Sequence, residues 1–291
     1  MQNLRGIFLV LFSMAAFSIE DALIKGLSNR LPVGQILIVI GCGGVVLFLL
    51  AAGPAGRAAI LPALRQPHLT GRTLAEGVGA ITFATALSLV PLSTVAAVFQ
   101  VTPLVVTAGA AVFLGERVGW RRWTAVVVGF LGVLLIIRPG LDGFVPEAAL
   151  VLVTALAIAC RDLLTRRIPA DVPSAVVSFY GFCVVVLAGV LLLLLGQTPV
   201  PLDRTALWAF AAAICCATTG YYAIVASMRL ADASALMPFR YARLVFSLLI
   251  GVAFFHEKPD SLTLAGGAII IAAAFYTYQR ERRLARKARV T

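Results

Sequence analysis

Residues 86–116 read ALSLVPLSTVAAVFQVTPLVVTAGAAVFLGE, and residues 227–257 read SMRLADASALMPFRYARLVFSLLIGVAFFHE. The two stretches stand 141 residues apart, and each ends on a glutamate, Glu116 or Glu257. The same offset sets Glu20-Asp21 on Arg161-Asp162, Lys25 on Arg166, Pro32 on Pro173, Cys42 on Cys183, Ser93 on Ser234, Phe113 on Phe254 and Arg117 on Lys258. Chance matches are easy in Leu- and Ala-rich sequence. Polar and Pro matches that hold one offset over about 100 residues are not, and they mark an internal duplication.

The composition says what is duplicated. Hydrophobic residues make up 61% of the 291 and charged residues only 13%, which excludes an ordinary soluble globule. Apolar runs between charges and breakers place spans near 5–27, 33–52, 72–91, 93–114, 121–138, 146–166, 173–195, 204–228, 233–255 and 261–280. Breakers fall between them, among them Pro32, Gly53-Pro54, Pro67, Pro91, Pro139-Gly140, Pro173 and Pro259. Val90-Pro91-Leu92-Ser93 is the whole connection between the third and fourth spans, so these form a tight hairpin. The expected fold is an all-α membrane protein of ten transmembrane helices, built as two five-helix repeats over residues 1–140 and 141–291. Ten spans leave no room for a separate soluble catalytic domain.

Five spans is an odd number, so the second copy enters the membrane from the opposite side and the repeats are inverted. Positive charge agrees, because Lys and Arg collect on the cytoplasmic side. One side holds seventeen: Arg5, Arg57, Arg65, Arg72, Arg117, Arg121, Arg122, Arg161, Arg166, Arg167, Arg229 and six in the tail after residue 279. The other holds five: Lys25, Arg30, Arg138, Arg204 and Lys258. Both termini are therefore expected in the cytoplasm, with the basic tail, in a bacterial inner membrane. The formal charge of +11 is accounted for by membrane orientation and not by nucleic acid. A cleavable leader would remove one span and destroy the symmetry, so the first span is expected to be retained.

Inverted halves can exchange conformations and open a central site alternately to each side. This predicts a secondary transporter of small molecules; a duplicated membrane scaffold that moves nothing is the alternative. No GxxxxGK[ST] supplies a motor, and His68 and His256 stand far apart without HExxH spacing, so neither a primary pump nor an enzyme is expected. Cys42, Cys160, Cys183, Cys215 and Cys216 show no CxxC or His-associated spacing and read as small packing residues. No metal and no cofactor is expected.

The Ala-rich hairpin and its short acidic turn, Ala86 to Ser93 through Leu114-Gly115-Glu116, with its copy Ser227 to Leu230 through Phe255-His256-Glu257, resemble the drug/metabolite transporter superfamily, EamA type. The resemblance spans almost the whole chain. It implies export from the cytoplasm through a cavity between the halves, lined by the fourth, eighth and ninth spans. Length and span number are similar to bacterial amino-acid and metabolite exporters, the aromatic amino-acid exporters included. His256 in place of Gly115, and Arg161 in place of Glu20, depart from a perfect repeat. The motifs do not choose the cargo, so sugars, nucleosides and drugs remain alternatives to amino acids.

Charges at membrane depth cost about 2.5–3.5 kcal/mol each and need a partner, water or a task. Arg240 and Arg243, 8 and 11 residues past Asp232, lie deep in the ninth span. With Tyr241 between them they offer a basic, aromatic strip for the carboxylate of an amino acid or organic acid. The competing reading is an ion pair with Glu76, Asp162 or Asp232. Glu20 and Asp21, late in the first span, are candidates for proton coupling, or interfacial charges beside Lys25. Gln100, Tyr221, Tyr222 and Ser247, on the spans the resemblance makes cavity-lining, are candidates for orienting cargo or for ordinary helix packing. Glu116 and Glu257 read as structural caps at turns.

Overall fold

The computed structural model describes residues 2–113, 120–138, 145–165, 167–169, 171–230 and 239–288. Its helices are α1 (Gln2–Ser28), α2 (Val33–Ala51), α3 (Gly53–Ala63), α4 (Pro67–Leu89), α5 (Leu92–Phe99), α6 (Thr102–Phe113), α7 (Trp120–Ile137), α8 (Ala149–Thr165), α9 (Ser174–Leu194), α10 (Arg204–Leu230), α11 (Ala242–Phe255) and α12 (Ser261–Ala288). No strand occurs among the described residues. Prolines set the starts: Pro32, Pro91 and Pro173 precede α2, α5 and α9, and Pro67 opens α4. At a helix start the missing N–H costs nothing, since that donor has no intrahelical acceptor.

Six stretches are long and apolar enough to cross a membrane: Arg5–Ser28, Val33–Ala51, Leu92–Phe113, Pro146–Thr165, Ser174–Leu194 and Arg204–Ile224. Trp123–Ile137, Ala242–Phe255 and Ser261–Ala273 are shorter apolar helices. Helix α4 carries Arg72 and Glu76 in its first half, which lowers its hydropathy.

Two features differ from the sequence expectation. Residues 53–63, expected as loop, form α3, entered through Gly53 at φ 64° and held on α9 by the Tyr180 hydroxyl, which donates to Ile60 O at 2.7 Å. The fourth span is broken at Gln100-Val101 rather than continuous. Pro103 has no N–H for Phe99 O, and the Thr102 hydroxyl supplies the donor instead at 2.6 Å. The cysteines also differ: all five are free, but Cys42, Cys160 and Cys215 are exposed rather than packed.

Packing pairs α1 with α10, α4 with α8, α2 with α9, α7 with α12 and α5 with α11. Glycine permits the closest of these approaches. A Cβ on Gly34 would stand 2.7 Å from Gly189 O, and one on Gly189 would stand 2.5 Å from Gly34 O, so α2 and α9 touch backbone to backbone.

The core is not spread evenly along the bundle. Its main cluster, with Ile36, Leu87, Leu92, Val98, Val151 and Phe210 almost fully buried, fills the end where α1, α4 and α11 finish, here called the distal end. That end is also fastened by polar contacts. Lys25 Nζ donates to Val90 O at 2.7 Å and Leu87 O at 3.2 Å, holding the last carbonyls of α4. Glu257 accepts from Ser93 N at 2.9 Å and Ser93 Oγ at 2.7 Å, and from Leu92 N, capping α5 from the other half of the chain. His256 ends α11 at φ 52°, the left-handed conformation that turns Glu257 back onto α5. Its counterpart Gly115, with Glu116, lies outside the described residues.

Asp260 caps α12 through Thr263 and pairs with Arg138 at the end of α7. Hydrogen bonds from the Thr263 side chain, from Arg138 and from Thr263 N–H hold its carboxyl down at about 2. A depressed carboxyl stabilises the fold above its unfolded value, near 3.9, and the contribution disappears as pH falls through 2. Asp260→Asn is therefore expected to lower thermal stability at neutral pH and to flatten its acid dependence between about pH 4 and 2; unchanged acid dependence in the variant would refute the assignment.

At the opposite end the described core divides in two. Val10 and Met14 pack with Ile224 and Phe246 on one side, and Ala63, Leu69, Val176 and Val177 form a separate cluster on the other.

Candidate functional site

Helices α4 and α8 carry the first group of charges. Arg72 and Glu76, one turn apart on α4, pair at 3.0 Å, and Glu76 also receives Arg161 Nη1 from α8 at 3.0 Å. Arg161 turns its Nε and Nη2 to Asp162 Oδ1, at 3.0 and 2.8 Å. One guanidinium thus holds two carboxylates on different helices, the arrangement that offsets burial of charge. Glu76 is the centre of this network.

Arg243 forms the second group. Its Nε and Nη2 grip both oxygens of Asp21 on α1 at 2.8 to 3.2 Å, and its guanidinium lies 5.1 Å from the Phe99 ring, 5.4 Å from Phe17 and 5.7 Å from Phe83. The ion-pair reading is therefore right in kind and wrong in partner: neither Glu76 nor Asp162 takes Arg243, and Asp232 lies outside the described residues. Asp21 is 4% exposed and faces Arg243, not Lys25. Glu20, partly exposed on the stripe of α1 that also carries Ser13 and Ala16 toward α10, makes no hydrogen bond or ion pair among the described residues.

Arg240 stands just before α11, three residues ahead of Arg243. It is partly exposed, has no hydrogen bond or ion pair among the described residues, and lies within electrostatic range of Asp162 and Arg161. Asp162 leaves α8 opposite the exposed Val153, Leu156 and Cys160, yet its side chain is 36% exposed. The charged groups of α4 and α8, with Arg240 in electrostatic range of two of them, are the candidate site.

The other sequence candidates lie elsewhere. Gln100 is buried and donates to Tyr241 O at 3.4 Å. Ser247 Oγ bonds Ser18 Oγ at 3.1 Å in a fully buried contact. Tyr221 meets Ser178 Oγ at 2.8 Å and the edge of Phe48, between α10, α2 and α9. Tyr222 is 75% exposed beside Trp208, Cys215 and Thr219, on the outward face of α10, and does not reach the interior. Sequence reading missed the Arg72–Glu76–Arg161 network, although two signals were present: the i,i+4 spacing of Arg72 and Glu76, and Arg161 standing where the repeat has Glu20. Phe17, Phe83 and Phe99 carry no such signal in a chain with 17 phenylalanines.

Apolar helices long enough to cross a membrane, packed around buried ion pairs, are the architecture of a multi-pass membrane protein. The chain belongs to the EamA-like transporter family, whose profile matches it twice, at residues 4–138 and 146–279. It is 27% identical over 98% of its length to an S-adenosylmethionine uptake transporter of Rickettsia felis, covering 96% of that protein. It is 30% identical over 76% of its length to a riboflavin transporter of Rhizobium johnstonii, covering 72% of it. A pseudopaline exporter of Pseudomonas aeruginosa is 27% identical, with 92% of this chain and 94% of the relative covered. A solved structure with 22% identity superposes with a TM-score of 0.64 over 97% of this chain and 98% of the other, a likeness of fold.

Proposed function

We propose that the chain is a secondary transporter of amino acids or related small carboxylate metabolites, working by alternating access between inverted halves, residues 1–140 and 141–291. In this reading α5 and α6 make one span, α3 is not a span, and α1, α2, α4, α7, α8, α9, α10, α11 and α12 complete ten. Both termini face the cytoplasm of a bacterial inner membrane, which puts the distal end outside. Two features support the symmetry. The helix contacts keep their pattern when the halves are exchanged, α1 on α10 answering α8 on α4. Gln100 and Tyr241, 141 residues apart, touch each other, as a pair astride the axis must.

The observation that carries the cargo class is Arg240, a guanidinium with no hydrogen bond or ion pair among the described residues, suited to a carboxylate. Export is the proposed direction: a packed distal end leaves the charged space to load from the cytoplasm. Glu20 is the proposed proton-coupling residue, since Asp21 is committed to Arg243. The test is counterflow in proteoliposomes with labelled amino acids, riboflavin and S-adenosylmethionine, with and without a proton gradient. Arg240→Gln is expected to lower carboxylate flux about 10- to 100-fold. Undiminished flux in that variant would remove Arg240 from the site, and no flux of any cargo would return the scaffold reading.

A further inference from the structure

Helix α3 carries a face that the transport reading does not use. By the helical repeat, Gly56, Ala59, Ile60 and Ala63 share one side of it, and that side meets α9: Ala63 packs with Leu69, Val176 and Val177, and a Cβ on Gly56 would stand 3.9 Å from Val176. The other side carries Arg57, Leu61 and Leu64, with Arg65 just past the end of the helix. Leu61 is 76% exposed and Leu64 54%, and both arginines are exposed. Arg57 donates Nε to Leu49 O at 3.1 Å; its terminal nitrogens, like the whole Arg65 guanidinium, make no hydrogen bond or ion pair among the described residues. What α3 touches fixes its depth. Leu49 is in the last turn of the apolar span Val33–Ala51, and Val176 is in the first turn of the apolar span Ser174–Leu194. Tyr180, whose hydroxyl donates to Ile60 O, comes from the second turn of the same span. Helix α3 therefore lies at the ends of two spans, where hydrocarbon gives way to lipid head groups.

We infer that the exposed face of α3 is seated in the lipid head-group layer and takes anionic phospholipids, the phosphates on Arg57 and Arg65 and the acyl boundary on Leu61 and Leu64. Mixed leucine and arginine on one exposed face suits neither water nor hydrocarbon. At the boundary both are satisfied, because the leucines reach acyl chains while each guanidinium meets phosphate oxygens in a two-pronged fork. Lipid is the occupant because the face continues a surface that lipid already covers: Arg57 sits on Leu49, and the neighbouring Leu47 and Leu50 at the end of α2 are exposed. Arg57 and Arg65 are eight positions apart, about 12 Å at the helical rise, so each takes its own head group. A zwitterionic head group offers a phosphate whose charge its own cation offsets, so net negative charge is the preferred feature.

This inference rests on the membrane class of the protein and not on its cargo. It is tested with the full chain, its five native cysteines replaced and Leu61→Cys labelled with bimane, in phosphatidylcholine vesicles containing brominated phosphatidylglycerol or brominated phosphatidylcholine. Both brominated lipids are expected to quench the label. Phosphatidylglycerol is expected to do so at lower mole fraction, by about fivefold for each arginine. Arg57→Gln/Arg65→Gln is expected to remove that preference. Arg57→Lys/Arg65→Lys, which keeps both charges, is expected to retain most of it and so distinguishes recognition from loss of folding. Arg282→Gln/Arg283→Gln, in the basic tail, is expected to leave it unchanged. No quenching by either lipid would put the face of α3 in water and overturn the inference. Equal quenching by the two lipids, a preference that survives Arg57→Gln/Arg65→Gln, or one lost with the tail pair instead, would overturn the assignment of anionic head groups to Arg57 and Arg65.

Discussion

Asp21→Asn is expected to be the most damaging conservative substitution in this protein, costing about 3–5 kcal/mol and lowering the midpoint of thermal unfolding by roughly 10 °C. Arg243 has its Nε and Nη2 committed to that carboxylate and is enclosed by Phe17, Phe83 and Phe99, so removing the charge takes away the one ion-pair partner it has among the described residues. The cost is that of stranding a guanidinium and not of losing an attraction. The double variant Asp21→Leu/Arg243→Met should therefore recover much of the loss, because a matched apolar pair strands nothing. Tryptophan fluorescence in detergent micelles measures both. An Asp21→Asn variant as stable as the parent, or a double variant worse than the single, would show that the pair does not join α1 to α11 as described.

Glu257→Ala is the second large effect. The first N–H groups of any helix lack intrahelical acceptors, and here two of them, on Leu92 and Ser93, rely on one carboxylate reached from the other half of the chain. Hydrogen bonds to a charged group contribute about 1.5–3 kcal/mol each, and the orphaned donors stay partly buried, so a loss of about 3 kcal/mol is expected. Glu257→Gln should fall between parent and alanine, since one amide oxygen still accepts. The same change should loosen the distal end. A single cysteine placed at the buried Val95, in a background without the five native cysteines, should react faster with a membrane-impermeant maleimide once Glu257 is removed. Unaltered labelling would mean that the distal closure does not depend on this cap.

The architecture was legible because its signals are local or periodic. Apolar runs bounded by proline appear as helices starting at Pro32, Pro67, Pro91 and Pro173, and the glutamate at the turn behaves as the cap its position suggested. What went unread was local chemistry without a periodic mark: the turn at Gly53 that opens α3, and the break that Pro103 and Thr102 make at residue 100. Hydropathy averages over such details.

Charge at depth was legible as a list of residues and not as a set of pairs. Sequence alone determined that Arg240, Arg243, Asp21, Glu76 and Asp162 had to be explained, because the energy of a charge in an apolar span depends on the residue and its depth. Only the tertiary structure decided that Arg243 belongs to Asp21 and that Arg161 belongs to Glu76 and Asp162. Pairing depends on which helices touch and through which faces, and residues 222 positions apart meet only after the bundle has packed.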